Sequence, residues 1–403
     1  MSKRKTMIRF GRRRSQIVLL ILCVVFAAVG VFLFSQSRAA TPFLAVEPEK
    51  GSIQSAKVIT DTAASGGSAV QFTGKDCALT SQLYSNCGVL WGFYHPGNAD
   101  VRFMEANTGR QFDIVRRYYS LAQTPSKATG TWNWPSATDQ ELMAGGRILH
   151  ITLSAKVFGG SAPTSIDGQT IPAPNWSMPS ENPGTWYGYM QVASGAIDPL
   201  IIKVAKHIKS SPYRFIIDFT NEGMDTTNAA FGATGTPARD ALNVQFAQAF
   251  RHMRDVFDAQ GVTNVQWSWT VGGFDTDKTY RDSYPGDKYV DWIMWDPYNQ
   301  YANSWKTPYD TFARFYNRLE NGMLDPVSTQ SKNKLWGLAE YGCMDDPRRP
   351  AWMQDVPAAL QRLPKIKAVE YFNSGTWGAF SDQPTITAFG AAGKNPYLNP
   401  LNR

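Results

Sequence analysis

Eight short apolar runs, separated by longer stretches of helical periodicity, constrain this chain more than any other feature. They are 88–94 (GVLWGFY), 112–118 (FDIVRRY), 147–154 (RILHITLS), 214–221, 265–270 (VQWSWT), 290–296 (VDWIMWD), 335–340 and 368–373 (AVEYFN). Each has the length and the β-branched or aromatic content of a strand covered on both faces. Strands of that kind alternating with helices form a parallel sheet, and eight of them close it into a (β/α)8 TIM barrel. The intervening helices carry their own start signals. Thr236 as N-cap and Pro237 at the first position precede Leu242, Phe246, Phe250, Met253 and Phe257, spaced three or four apart, before Gly261. The same grammar recurs at Asp198-Pro199 and Thr307-Pro308.

Two of the runs end in a carboxylate. YRFIIDF stops at Thr220-Asn221-Glu222-Gly223, and LWGLAEYG places Glu340 at the end of the seventh strand. The C-terminal ends of barrel strands are where chemistry is done, because the βα loops open there. Glu222 and Glu340, ending the fourth and seventh strands, are therefore expected to face each other across one mouth. If both do, repulsion and burial raise the pKa of one of them.

The N-terminus is separate. Lys3, Arg4, Lys5, Arg9, Arg12, Arg13 and Arg14 precede an uncharged apolar run from Ile17 to Phe34. Such a run can span a bilayer as a single-pass anchor with its basic flank cytoplasmic, or serve as a signal peptide cut near Ser37-Arg38-Ala39. Both readings place the rest of the chain outside the cell, tethered to the membrane face or secreted. With Arg38, these residues hold eight of the 40 Lys and Arg, leaving 32 against 33 Asp and Glu. The formal charge of +7 thus reports topology and makes no case for a nucleic-acid partner. The expected division is 1–40 for flank and anchor or signal, 41–87 for a spacer or small β segment, and 88–403 for the barrel. In that second part, the pieces AVEPEKGSI and ASGGSAVQF resemble the opening strands of a carbohydrate-binding sandwich. The stretch is too short for a whole one, so a spacer or a small hairpin packed on the barrel is expected. Cys77 and Cys87 are expected to form a structural disulfide. No metal-ligand spacing, P-loop or dinucleotide fingerprint is present, so no metal or cofactor is expected.

Several segments taken together resemble glycoside hydrolase family 26, a retaining barrel family that includes β-mannanases. They are ASGAIDPLIIKVAKHIKSSPYRFIIDFTNEGM, FRHMRDVFDAQGVTNVQWSW, YPGDKYVDWIMWDPYN, LAEYG and IKAVEYFNSG, in family order from residue 88 onward. The resemblance implies that Glu222 is the general acid/base, Glu340 the nucleophile, and Tyr298 a hydrogen-bond donor to that nucleophile. With those roles, Glu222 is expected to be the raised carboxyl and Glu340 to stay ionised beside donors such as Tyr298 and backbone amides. Asn221 would hold the sugar 2-hydroxyl. The family commonly has His before the acid/base and a Trp-rich stretch after it; here Asn221 and Gly223-Met224-Asp225 stand there, which bears on the choice of substrate.

A glycan substrate calls for aromatic faces that stack on sugar rings. Trp176, Trp186, Trp269, Trp295, Trp305 and Trp377 fall near strand ends or in βα loops, and Trp269 and Trp377 are the favoured contacts. His95 in YHPG and His150 in the third strand are candidate substrate contacts or satisfied core histidines. Asp296, before Pro297, is read as organising a loop. The long Gly/Pro/Ser-rich stretch 157–189 is placed on the catalytic face. The whole reads as an exported, monomeric endo-β-glycosidase, β-mannanase-like. The alternatives are the same chemistry on xylan, a mixed-linkage glucan or an exopolysaccharide, or a glycan-binding surface protein without turnover.

Overall fold

The structure is a computed structural model, which describes strand residues 57–60 and 68–71 and residues 77–95, 98–122, 135–157, 162–175, 186–222 and 236–403. The chain divides into two compact units, Met1–Gly74 and Lys75–Arg403. In the first, Lys57–Thr60 pairs antiparallel with Ser68–Gln71. The run from Ile17 to Phe34 lies outside the described residues, among which no helix is long and apolar enough to cross a membrane.

The second unit is the barrel. Its strands are β1 (Leu90–Tyr94), β2 (Ile114–Ser120), β3 (Ile148–Ser154), β4 (Phe215–Phe219), β5 (Val265–Val271), β6 (Trp292–Trp295), β7 (Leu335–Cys343) and β8 (Ile366–Phe372). Each pairs in parallel with the next, and β8 pairs with β1, so no edge is left. The eight runs read from the sequence all appear, with ends displaced by a few residues.

Alternation along the strands sorts the side chains into two shells. Leu90, Ile114, Ile148, Ile216, Trp292, Met294 and Ala368 form an apolar layer inside the barrel, with Leu83 buried against it. Cys77 and Cys87 are joined in a disulfide beside that residue, closing the loop that carries it. The outward set, including Val115, Leu149, Ile217, Trp267, Trp269, Ile293 and Trp295, packs under the helices. Further along the same inward rows the residues turn polar: Arg116 on β2, His150 and Thr152 on β3, Asp218 on β4 and Glu370 on β8, all buried. Strand β7 breaks the alternation. Its register against β8 shifts between Leu338 and Tyr341. Leu338 and Tyr341 belong to the outer shell and Ala339 to the inner one, so the irregularity turns the consecutive residues Ala339 and Glu340 both inward.

Among the described residues, eight helices of seven residues or more flank the strands: α1 (Asn98–Thr108), α2 (Ala137–Ala144), α3 (Asp198–Ser210), α4 (Pro237–Ala259), α5 (Asp277–Ser283), α6 (Pro308–Glu320), α7 (Arg349–Gln361) and α8 (Gln383–Gly393). The caps of α4 and α6 are as the sequence suggests, with the Thr236 and Thr307 side chains accepting from the backbone of Arg239 and Asp310. α3 differs: Ile197 is its N-cap, and Asp198 instead accepts from His252 Nε2 at 2.6 Å. The stretch 157–189 contains a hairpin of Ser165–Ile166 with Gln169–Thr170, held by buried Ile166 and Ile171.

The apolar stripe of α4 can be tested directly. Phe250 is fully buried against Phe246 and Trp267, so Phe250→Ala should cost about 3–5 kcal/mol in urea unfolding. Val244→Ala, on the exposed face of the same helix, should stay within about 0.5 kcal/mol. Equal losses at the two positions would contradict the assignment of faces.

Candidate active site

A cavity of about 570 Å³ opens where β1, β2, β4, β5, β6, β7 and β8 end, and both carboxylates line it. Glu222 sits on the turn leaving β4. Thr220 and Glu222 both have left-handed backbone, φ 51° and 52°, a conformation costing on the order of 1–3 kcal/mol at each non-glycine residue. The turn is clamped to its neighbours. Thr220 N–H donates to Leu153 O at 3.2 Å, Thr220 Oγ1 accepts from Ala155 N–H at 3.0 Å, and Glu222 N–H donates to Thr270 O at 3.3 Å.

Glu340 is 5% exposed and surrounded by donors. The Tyr118 hydroxyl donates to Oε1 and the Tyr298 hydroxyl to Oε2. Asn221 Nδ2 donates to Oε1 at 3.3 Å, and Arg116 Nε lies 3.9 Å from the same oxygen. The donors are thus two phenols and an amide, where the sequence suggested backbone amides beside Tyr298. Burial and the negative charge of Glu340 together push the Tyr298 phenol well above its usual range, so it keeps its proton as a donor.

Asp296, read from the sequence as a loop organiser, directly follows β6. It is fully buried, and neither carboxyl oxygen has a hydrogen-bond partner. Burial, followed by the charges of Glu340 and Glu222, pushes its pKa well above the carboxylate range. Burial also raises Glu340, but Arg116 and the two phenols oppose that. A proton shared between the two belongs on Asp296, which has no donor to stabilise an anion, and Glu340 remains the carboxylate. Burial thus raises both carboxyls, and Asp296 the more strongly.

Aromatic rings wall the cavity. Tyr94 and Phe372 stack with centroids 4.6 Å apart, and Tyr118 meets Tyr94 edge-on at 4.9 Å. Phe274, Gln300 and Tyr301 complete the rim, with Tyr301 60% exposed.

Of the residues singled out in the sequence, Glu222, Glu340, Asn221 and Tyr298 come together here. Trp269 does not, and its expected contact with substrate is corrected: it points outward from β5, fully buried against Tyr280 and Tyr284 beneath the helices. Trp295 is likewise buried against Phe315. Trp186 packs with Lys156, and Trp305 lies under Arg348 at 4.1 Å. The side chain of Trp377 and the whole of Trp176 lie outside the described residues. His95 is half-buried after β1 and does not line the cavity, and His150 is a core histidine. Tyr94, Tyr118 and Phe372 were missed because aromatics ending strands read as ordinary core. The paired Arg116-Arg117 in an otherwise apolar strand was a legible sign of a polar interior.

Fold and cavity define a (β/α)8 barrel with a carboxylate-bearing, aromatic-walled mouth. The family to which such a chain is similar emerges from three comparisons. A model of glycosyl hydrolase family 26 matches residues 230–330. Endoglucanase H of Acetivibrio thermocellus is 25% identical over 228 residues, covering 53% of this chain and 24% of that protein, so the chain spans about a quarter of the length of this curated relative. The GH26 domain of an endo-β-mannanase/endo-β-glucanase from Prevotella bryantii superposes with a TM-score of 0.51 at 16% identity, over 76% of this chain and 89% of that one. A GH26 β-mannanase from Bacteroides ovatus gives 0.52 at 15% identity, over 77% and 90%. The resemblance to family 26 read from the sequence is borne out, and the two structures share the fold.

The raised pKa of Asp296 predicts a pH-dependent stability. An aspartate titrates at about 3.9 in an unfolded chain. The folded value is raised, so the contribution of this group is fully present below that pH and is lost as pH rises toward the folded value. Asp296→Asn cannot ionise, and its melting temperature should rise relative to the parent between about pH 4 and 7. A difference that stays flat across that window would mean that Asp296 is ionised in the folded protein.

Proposed function

We propose that the protein is a retaining endo-β-glycosidase, with Glu222 as general acid/base and Glu340 as nucleophile. The observation that carries this reading is the lining of one cavity by both carboxyls, with Glu340 held at both oxygens by the phenols of Tyr118 and Tyr298. In double displacement, one carboxylic acid protonates the departing glycosidic oxygen while the other, ionised, attacks the anomeric carbon. Water then releases the glycosyl-enzyme with the first group acting as base. The donors around Glu340 favour the anion needed for attack and orient its oxygens. Asn221 donates to the same carboxylate, and we assign it the 2-hydroxyl of a bound sugar.

The walls of Tyr94, Phe372, Phe274 and Tyr301 suit pyranose faces, and the lining residues include no cation among those described. A neutral glycan fits such a lining better than a uronic acid polymer. β-Mannan is the first substrate proposed and β-glucan the second, because the relatives named above carry those activities in their names. The chain is further proposed to act outside the cell, held by residues Ile17–Phe34 or released after cleavage of that segment. Recovery of the full chain in the cytosolic fraction would argue against export.

The test of the activity uses a chain starting at Thr41 with soluble β-mannan and β-glucan, following reducing ends and the first-formed anomer. Release of the retained anomer is expected, with Glu340→Ala lowering kcat by at least about 10³-fold without unfolding the protein. Binding without release of reducing ends, or release of the inverted anomer, would overturn the proposal.

A further inference from the structure

Below the cavity lies a cluster of charges that has no solvent to justify it. Arg116, His150, Asp218 and Glu370 are each at most 1% exposed and come from four different strands. Glu370 Oε1 is 2.7 Å from His150 Nδ1, and His150 Nε2 is 3.1 Å from Asp218 Oδ2. Arg116 donates through one terminal nitrogen to Asp218 Oδ2 at 3.0 Å and to Thr152 Oγ1 at 3.1 Å. Its Nε donates to the Tyr118 hydroxyl at 2.7 Å. The other terminal nitrogen is 3.0 Å from both nitrogens of the His150 ring, which places it over the ring face.

The directions of these bonds follow from proton counting. Guanidinium only donates, so Tyr118 accepts from Arg116 and must point its single proton at Glu340. The imidazole faces a carboxylate at each nitrogen, which requires a proton on each and therefore a positive charge. Two cations in van der Waals contact are tolerable only because two carboxylates flank them and make the group neutral overall. Removing either anion leaves the cluster with one charge too many. The cluster is also built for at the backbone: a Cβ on Gly92 would stand 2.7 Å from Glu370 Cγ, so the glycine leaves the room in which that side chain lies.

We propose that Glu370 and His150 are positioning residues for Glu340, acting through Arg116 and Tyr118, with His150 a permanent imidazolium that keeps Arg116 aimed at the tyrosine. The inference rests on the reading of Glu340 as nucleophile. The groups facing His150 are Arg116 on β2, Asp218 on β4 and Glu370 on β8. Burial opposes its charge, and Glu370 together with the hydrogen bond to Asp218 outweighs burial, so its pKa is raised.

Two measurements decide the matter. The chain has four histidines, so the ring 15N signals of His150 can be assigned by loss in His150→Gln. They should report a doubly protonated ring throughout pH 5 to 8 and a neutral ring in Glu370→Gln. This readout needs no glycosidase activity, so it stands even if no glycan is cleaved. On the substrate that the protein cleaves, His150→Gln and Glu370→Gln should each lower kcat by about 10²-fold, leave KM within about threefold and raise the acid limb of the kcat profile. The double variant should lose no more than either single one. A neutral His150 in the parent protein overturns the proposal. So does an unmoved acid limb in Glu370→Gln, the variant closest in shape, when its melting curve shows a folded protein.

Discussion

Charge buried inside a closed barrel is the constraint that the rest of this structure answers to. A guanidinium taken out of water costs several kcal/mol unless its donors are met, and Arg116 is met at Nε by Tyr118 and at one terminal nitrogen by Thr152 and Asp218. The apolar layer of Leu90, Ile114, Ile148, Ile216, Trp292 and Met294 fills the barrel below it. Each polar partner is therefore committed to a neighbour, and the chain of commitments ends at Glu340. The nucleophilic carboxylate proposed here is the point at which a buried electrostatic network reaches the cavity.

The other carboxyl is held by different means. Glu222 sits on a turn whose backbone adopts left-handed angles at two residues with side chains, fixed by hydrogen bonds to β3 and β5. Strain of that kind persists only where the surroundings over-determine it. Asp296 lies between these regimes, buried with no donor at either oxygen, and burial pushes its pKa well above the carboxylate range.

The tryptophans show how a barrel spends its aromatics. Trp267, Trp269, Trp295 and Trp336 face outward and fill the gap between strands and helices. Among the described residues, the cavity is walled instead by tyrosine and phenylalanine at or just beyond the ends of strands. Two of those tyrosines also work through their hydroxyls, so the same rings supply an apolar face to the opening and a proton to Glu340.

By itself the sequence determined the eight strands, the caps of α4 and α6, and the placing of Glu222 and Glu340 at strand ends. Those are local matters: apolar runs, capping residues and abrupt changes to polar residues are written in consecutive positions. The tertiary structure decided which way side chains face and what they meet. A period of two cannot say which parity of β5 points inward, so Trp269 could be read as a sugar platform until the closed barrel put it beneath the helices. The irregular register of β7, which turns Glu340 inward beside Ala339, depends on pairing with β8 and leaves no mark within LWGLAEYG itself. The union of Arg116, His150, Asp218 and Glu370 joins residues up to 254 positions apart in the chain, and only closure of β8 onto β1 brings them together.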